Sequence, residues 1–193
     1  MPDVLPWTYS DDANRLLAAS PLALMIGMLL DQQVKMEMAF NSPHLLQERL
    51  GGSLDASDIA SRDSAEMEAI FRGPPALHRF PNAMAKRTQA LCGALAEHYG
   101  GDASAVWRTA DDGKELLRRL KKLPGFGVAK SRIFVGIVGK RLGEAPPGWE
   151  EAAADWPSIA DIAEFEQIED LRQHKARMKA EAIKAKKARS KGS

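Results

Sequence analysis

The sequence predicts an all-α fold, and two patterns support this prediction. Apolar residues recur at the three- and four-residue spacing of a helix face along almost the whole chain. Glycines and prolines mark most breaks between these stretches, and no segment shows the alternation of a half-buried strand. With 193 residues, of which 45% are hydrophobic, the chain is large enough for one domain with its own core.

The first clear helix signal follows Ser20 and Pro21, residue types preferred at the N-cap and the first helical position. This helix is expected over 22–33, and because it is apolar nearly all round it should be central and buried. Pro43 is predicted to open a helix over 45–50 that two glycines end. A turn over 57–60 and further helices are predicted over 64–71, 81–99, 111–122, 128–142, 149–154, 158–165 and from 166 onward.

Charge is segregated along the chain, although its formal net value is only +1. Residues 114–141 hold nine basic side chains and one acidic side chain, and residues 171–193 hold the same numbers. Residues 142–170 hold nine acidic side chains and no basic ones. The two basic segments predict contact with a polyanion such as a nucleic-acid backbone, which attracts lysine and arginine without regard to base sequence.

Composition excludes several classes of protein. The single cysteine, Cys92, cannot form an internal disulfide or hold an iron–sulfur cluster, which needs several thiolates. The longest apolar run, 22–30, has about half the roughly 20 residues that span a membrane. Because the N-terminus also lacks a signal-peptide pattern, a cytoplasmic location is expected.

The clearest motif is a glycine-containing turn, Leu123-Pro124-Gly125-Phe126-Gly127, between two predicted helices within 116–142. Its glycines allow a sharp turn and a close approach by another molecule. Free amides at the start of the second helix, together with the helix dipole, would bind phosphate. The cations expected around this site are Lys121, Lys122, Lys130 and Arg132. An ordinary αα-hairpin is the alternative interpretation.

Residues 123–131 resemble the helix–hairpin–helix of the DNA glycosylases of base-excision repair (the HhH-GPD superfamily). Two other segments agree in order. Residues 28–34 resemble the family's early helix, whose polar end carries a glutamine that probes DNA, and 80–95 resemble the helix before the hairpin pair. The resemblance covers about 20–150 and is greatest to an actinobacterial group without the iron–sulfur cluster.

The resemblance implies a two-lobed helical HhH-GPD glycosylase fold with a cleft between the lobes, formed by a single domain over 1–183. Lobe 1 would cover about 20–142, including the helix–hairpin–helix over 116–142. Lobe 2 would combine 1–19 with 143–183. Residues 184–193 would form a basic flexible tail.

The implied activity is the flipping of a damaged base and the hydrolysis of its N-glycosidic bond. Strand-cutting relatives have a lysine where this chain has Ala129, so a monofunctional enzyme is expected. The expected partner is double-stranded DNA containing a damaged base, bound by a monomer, with no membrane involved. The alternatives are a non-catalytic DNA-binding protein that recognises damaged or structured DNA, and a protein–protein adaptor with a helical groove.

The resemblance places the catalytic aspartate at Pro147, where this chain has no acid, so another carboxylate is expected to act. Asp31 is the preferred substitute, since burial at the end of an apolar helix would raise its pKa. The acids around the Gly/Pro loop are Glu144, Glu150, Glu151 and Asp155, of which Glu144, Glu151 and Asp155 are the alternatives to Asp31. Gln33 or Gln32 would fill the gap left by a flipped base. The remaining expected DNA contacts are Gly125, Phe126, Gly127, Val128, Lys122, Lys130 and Arg132.

No cofactor is expected to be required. The resemblance does imply a monovalent cation, Na⁺ or K⁺, held by the backbone carbonyls of Lys121, Leu123 and Phe126. The histidines do not show the spacing of a metal site. An iron–sulfur cluster is not expected, because the cysteines that hold it in some relatives are missing.

Overall fold

A computed structural model describes the backbone of residues 2–191 and the side chains of residues 2–183. Within this part of the chain there are eleven α-helices, a π-helical turn, a 3₁₀ turn and no strand, which confirms the predicted all-α class. The helices are α1 Asp11–Ala19, α2 Pro21–Leu30, α3 Met36–Arg49, α4 Ala56–Ser61, α5 Ser64–Arg72, α6 Pro81–Tyr99, α7 Ala105–Arg108, α8 Gly113–Lys122, α9 Val128–Ile137, α10 Trp149–Ala152 and α11 Gln167–Lys191. The π-helical turn is Val138–Leu142 and the 3₁₀ turn is Ile159–Asp161.

Helix α2 is the central helix, as predicted. All of its residues from Leu22 to Leu30 are buried, and the Ser20 hydroxyl accepts a hydrogen bond from the Ala23 amide at its start. The predicted end at Gln33 is wrong, because the helix ends at Leu30 and the next residues form a turn. Side chains from outside the helix bind its last carbonyls, which lets the chain leave the helical path there.

The prediction that Pro43 opens a helix is also wrong, since α3 runs through it. Proline in a helix interior costs about 3 kcal/mol because it removes a hydrogen bond and crowds the preceding turn. The buried face of α3 offsets this cost. The ring of Phe40 fills the space beside Gly27, where a Cβ would lie only 2.6 Å from it. The rings of Phe40 and Trp7 pack edge to face, with their centroids 5.1 Å apart.

Helix α6 agrees with its prediction and ends at Gly100, which has a left-handed backbone with φ 61°. Helices α4 and α5 both pack against it. Helices α1 and α7 were not predicted, and the helix expected over 128–142 changes into the π-helical turn after Ile137. Trp149 packs against Gly139 in that turn, where a Cβ would overlap its ring.

The N-terminal segment contacts the C-terminal part of the chain. The indole nitrogen of Trp7 donates to the Ile162 carbonyl at 3.3 Å, and the rings of Tyr9 and Phe165 lie 4.7 Å apart. Helix α10, by contrast, packs on α8 and α9. Residues 143–183, assigned from sequence to the second lobe, therefore pack in two places. Ile162 and Phe165 contact the N-terminal segment, whereas α10 packs on the helices of the hairpin.

The expected basic tail over 184–193 falls largely outside the described residues. The backbone of α11 is helical to Lys191, but the side chains of 184–191 and all of 192–193 lie beyond what the structure describes. Among the described residues, no single helix is long and apolar enough to cross a membrane. The pair α1 and α2 passes that test only when taken together across a bend of 114°.

Candidate functional site

The predicted hairpin is present between α8 and α9. Leu123 and Phe126 point into the core, and the edge of the Phe126 ring meets Phe134 at a centroid distance of 5.7 Å. Gly125, Gly127 and Val128 are exposed on the outer side of the turn. Phe126 therefore anchors the turn, which differs from its expected role as a DNA contact, and the backbone around it faces outward.

The two glycines of the turn have different structural roles. Gly125 has φ +83°, and a Cβ at this position would overlap the Cδ1 atom of Leu29. Its lack of a side chain therefore allows the turn to pack against α2. Gly127 has φ −71°, and a Cβ there would have no neighbour within 4 Å. The fold does not require glycine at this second position, where its absence of a side chain leaves the backbone open to another molecule.

The start of α9 has the geometry expected of an anion site. Gly127 is its N-cap and contributes no side-chain cap, and the first hydrogen bond of the helix runs from the Ser131 amide to the Gly127 carbonyl. The amides of Val128, Ala129 and Lys130 precede that bond and have no helical acceptor. Lys121 and Lys122, at the end of α8, are exposed beside the turn. Amides and lysines together suit a phosphate group.

Lys130 differs from its expected role as a phosphate contact. Its ammonium donates to the carbonyls of Met28 and Leu29, each at 2.7 Å, so it binds the end of α2. Burial lowers the pKa of Lys130 to about 8, the positive charge of Arg87 adds to that effect, and the negative charge of Asp31 opposes it. The last carbonyls of α2 lack partners within their own helix. Lys130 binds two of them, so its ammonium is used inside the protein and not, as predicted, at a phosphate.

Arg132 is also engaged within the protein. Its guanidinium donates to the Ala153 carbonyl at 2.7 and 3.0 Å, stacks 5.0 Å from the centre of the Trp156 ring and forms an ion pair of 3.4 Å with Asp155. It joins α9 to the loop after α10. A direct phosphate contact would have to compete with these bonds.

The structure separates the two candidate glutamines. The amide nitrogen of Gln32 donates to the Leu29 carbonyl at 2.8 Å, and its amide oxygen accepts from Arg87 at 2.9 Å. Its main-chain carbonyl also lies 3.0 Å from Nε2 of the buried His78. Gln32 is therefore locked in place, contrary to the prediction that it could probe DNA. Gln33 is exposed, and its backbone has a left-handed conformation with φ +57°.

A cavity of about 460 Å³ opens beside Asp31 and Gln33. It lies between the turn that follows α2 and one side of α11. Its lining residues are Asp31, Gln33, Val34, Lys35, Met36, Ile168, Leu171, Arg172 and Lys175. Its size falls in the range of small-molecule sites, and four of its lining side chains are aliphatic.

Asp31 stands at the boundary between α2 and this cavity. Burial raises the pKa of its carboxyl group, and the nearby Glu37 adds to the rise, whereas Lys175 and Lys130 oppose it. A desolvated carboxylate with cations close by suits either proton transfer or the stabilisation of a developing positive charge. The structure therefore brings Asp31, Gln33 and the hairpin to one region of the molecule.

Sequence reasoning missed the contribution of α11 to this cavity. Ile168, Leu171, Arg172 and Lys175 have the spacing of one helix face, and this periodicity was a usable signal. Arg172 is held there by an ion pair of 2.6 Å with Glu37, whose side chain is only 7% exposed. Lys35 also lines the cavity, and nothing in the sequence distinguished it from other surface lysines.

The other candidate acids do not line the cavity. Glu144 accepts hydrogen bonds from Arg108 at 2.9 Å and from the Trp107 indole at 2.8 Å, and Arg108 lowers its pKa. Asp155 is 79% exposed and pairs with Arg132, and Glu151 is exposed on α10. Glu144 and Asp155 therefore form ion pairs within the protein, and Glu151 is a surface group. None of the three lines the cavity beside Asp31.

Pro147, where the resemblance would place a catalytic aspartate, has a structural role. The Pro147 carbonyl accepts a hydrogen bond of 2.9 Å from the Gly113 amide. This bond holds the Gly/Pro loop against the first turn of α8. The proline side chain at this position supplies no acid, so Asp31 stays the candidate carboxylate.

The expected cation site stays a prediction. The Leu123 carbonyl accepts from the Phe126 amide at 3.1 Å, and the Phe126 carbonyl accepts from the Ser131 hydroxyl at 3.4 Å. Each oxygen keeps a second lone pair that could face a cation. Among the described residues there is no cluster of three or more His, Cys, Asp or Glu side chains that could hold a metal ion.

Comparison with known proteins does not assign a family. No family model matches the chain, and no curated protein matches it significantly. The geometry of the hairpin, of Asp31 and of the cavity is therefore the basis for a functional hypothesis.

Proposed function

We propose that this protein is a DNA glycosylase of base-excision repair, which flips a damaged base out of the duplex and hydrolyses its N-glycosidic bond. The observation that carries the proposal is the packing of the hairpin on the end of α2. Gly125 contacts Leu29, and Lys130 binds the Met28 carbonyl, two and three residues before Asp31. A turn suited to phosphate and a desolvated carboxylate therefore belong to one continuous region.

In this proposal the duplex contacts the protein through its sugar-phosphate backbone. The amides of Val128 and Ala129 bind phosphate, and Lys121 and Lys122 add positive charge. Gln33 enters the gap left by the flipped nucleotide and offers both a donor and an acceptor to the orphaned base. The cavity beside Asp31 is the cleft of a two-lobed helical glycosylase fold, with α11 as one wall.

Asp31 carries the chemistry in this proposal. The glycosidic bond breaks with its electron pair leaving on the base, and a water oxygen forms a new bond to the sugar carbon. The carboxylate stabilises the positive charge on the sugar and accepts the proton released by the water. The departing base takes up a proton in turn.

The hydrogen bonds of Lys130 support a monofunctional enzyme, one that releases the base without cutting the strand. Its ammonium binds two main-chain carbonyls, so it is not presented as a free amine to the sugar. The position occupied by lysine in strand-cutting relatives carries the small, exposed side chain of Ala129. Base release without strand cleavage is therefore expected.

A non-catalytic protein that binds damaged or structured DNA is the second candidate. It is favoured by one observation, the structural use of Pro147 at the position where the family has its aspartate. This candidate retains the hairpin and its phosphate site but not the hydrolysis.

The test is base release from duplexes that each carry one alkylated, oxidised or deaminated base. Abasic sites are revealed by alkali, and duplex affinity is measured in parallel. We expect release by the natural sequence and a loss of about 100-fold or more in Asp31→Asn at similar affinity. Asp155→Asn, which alters a well-exposed acid, is the matched control. Binding without any release would favour the second candidate, and no salt-dependent binding would contradict both.

A further inference from the structure

We infer that the cavity beside Asp31 selects neutral bases that gained a carbonyl group by deamination, and rejects cationic alkylated bases. This inference rests on the proposed glycosylase function and adds its substrate class. It is argued from three properties of the cavity: its charge, its walls and the polar groups that it offers.

Charge is the first property. Lys35, Arg172 and Lys175 line the cavity, whereas Asp31 is the one acidic residue among the described lining residues. Arg172 forms ion pairs with Glu37 and Glu169, which offset its charge, so Lys35 and Lys175 supply most of the positive charge. A base that carries a positive charge would therefore be repelled by the exposed side chains of Lys35 and Lys175, most strongly at low ionic strength.

The walls are the second property. The apolar lining consists of Val34, Met36, Ile168 and Leu171, and none of the described lining residues is aromatic. Cationic ligands are held best by the faces of aromatic rings, which attract positive charge. Aliphatic walls provide no such attraction, but they can cover the faces of a neutral base and release water.

The polar groups are the third property. Lysine side chains donate hydrogen bonds and accept none, so Lys35 and Lys175 present donors to the cavity, whereas the guanidinium of Arg172 already donates to Glu37 and Glu169. Deamination replaces the amino group of cytosine or adenine with a carbonyl oxygen, giving uracil or hypoxanthine. The new oxygen accepts from these donors, whereas the original amino group would face them unpaired.

The test compares four duplexes that differ at one position, which holds uracil, hypoxanthine, 7-methylguanine or an undamaged base. Rates of base release are measured with enzyme in excess over duplex. We expect uracil and hypoxanthine to be released at least about tenfold faster than 7-methylguanine. Lys175→Gln should reduce release of the two deaminated bases by about tenfold, and Lys175→Glu should narrow their advantage over 7-methylguanine further.

Arg177→Gln is the matched control, because it removes the same charge from an exposed position of α11 outside the cavity lining. It should leave the ratio of rates between bases unchanged. Faster release of 7-methylguanine, or equal losses in Lys175→Gln and Arg177→Gln, would overturn the inference and leave the glycosylase proposal intact. Absence of release from every duplex would overturn the glycosylase proposal itself.

Discussion

The ammonium of Lys130 lies 2.7 Å from the main-chain carbonyl oxygen of Met28, although 102 positions separate the two residues. The same ammonium binds the Leu29 carbonyl at 2.7 Å. These bonds join the second helix of the hairpin to the end of α2, immediately before Asp31. The hairpin therefore positions the candidate carboxylate as well as presenting backbone amides to a ligand.

Replacing Lys130 should reduce stability. Lys130→Met keeps much of the aliphatic stem but removes both hydrogen bonds, and the Met28 carbonyl loses its side-chain partner. We expect a loss of about 1–3 kcal/mol in the free energy of unfolding, measured by denaturation in urea. Lys122→Met, at an exposed position of the same motif, is the control and should change stability by less than about 0.5 kcal/mol. Equal stabilities of the two variants would contradict the role assigned to Lys130.

The two glycines of the turn should respond differently to alanine. Gly125→Ala places a Cβ against Leu29 in a left-handed backbone, so we expect a destabilisation of about 1–3 kcal/mol. Gly127→Ala has room for its Cβ and an ordinary φ, and the gain from a stiffer unfolded chain is opposed by the poor fit of alanine at an N-cap, so stability should change by less than about 1 kcal/mol. The added methyl group would stand beside the α9 amides, so duplex affinity should fall by about tenfold in a salt titration. An unchanged affinity in Gly127→Ala would remove the support for the phosphate site.

Asp31→Asn should increase stability at neutral pH. Burial raises the pKa of this carboxyl group in the folded protein above its unfolded value near 3.9, so the folded state binds the proton more tightly. The resulting stabilisation is present below the unfolded pKa and is lost as the pH rises through the folded pKa. Thermal melting of both proteins from pH 3 to pH 8 should show that the advantage of Asp31→Asn grows as the pH rises through that interval. A constant difference in Tm across the series would show that Asp31 is not desolvated.

The two glutamines should separate stability from DNA recognition. Gln32→Ala removes bonds to Leu29 and Arg87, so we expect a loss of about 1–2 kcal/mol in unfolding free energy. Gln33→Ala changes an exposed side chain, so stability should change little, whereas affinity for duplexes with a damaged base should fall about tenfold. Affinity for an undamaged duplex serves as the internal control and should fall less. The reverse pattern, with Gln32 governing DNA affinity and Gln33 governing stability, would contradict the assignment.

The sequence by itself determined the features that depend on local signals. Ser20 and Pro21 start α2, Gly100 ends α6, and the Leu-Pro-Gly-Phe-Gly segment forms the turn between α8 and α9, because capping, backbone φ and turn formation are decided within a few residues. The buried character of α2 also followed from its composition. The all-α class was predictable for the same reason, since helical periodicity is a property of each segment.

Only the tertiary structure decided where the long polar side chains end and which segments meet. Helix α3 continues through Pro43 because its buried face packs on α2, and Lys130 points inward because the carbonyls of α2 lie within its reach. The cavity required α11 to come against the turn after α2, across more than 130 positions of sequence. Periodicity predicts which face of a helix is buried, but the partner of that face and of each charged side chain depends on packing between distant segments.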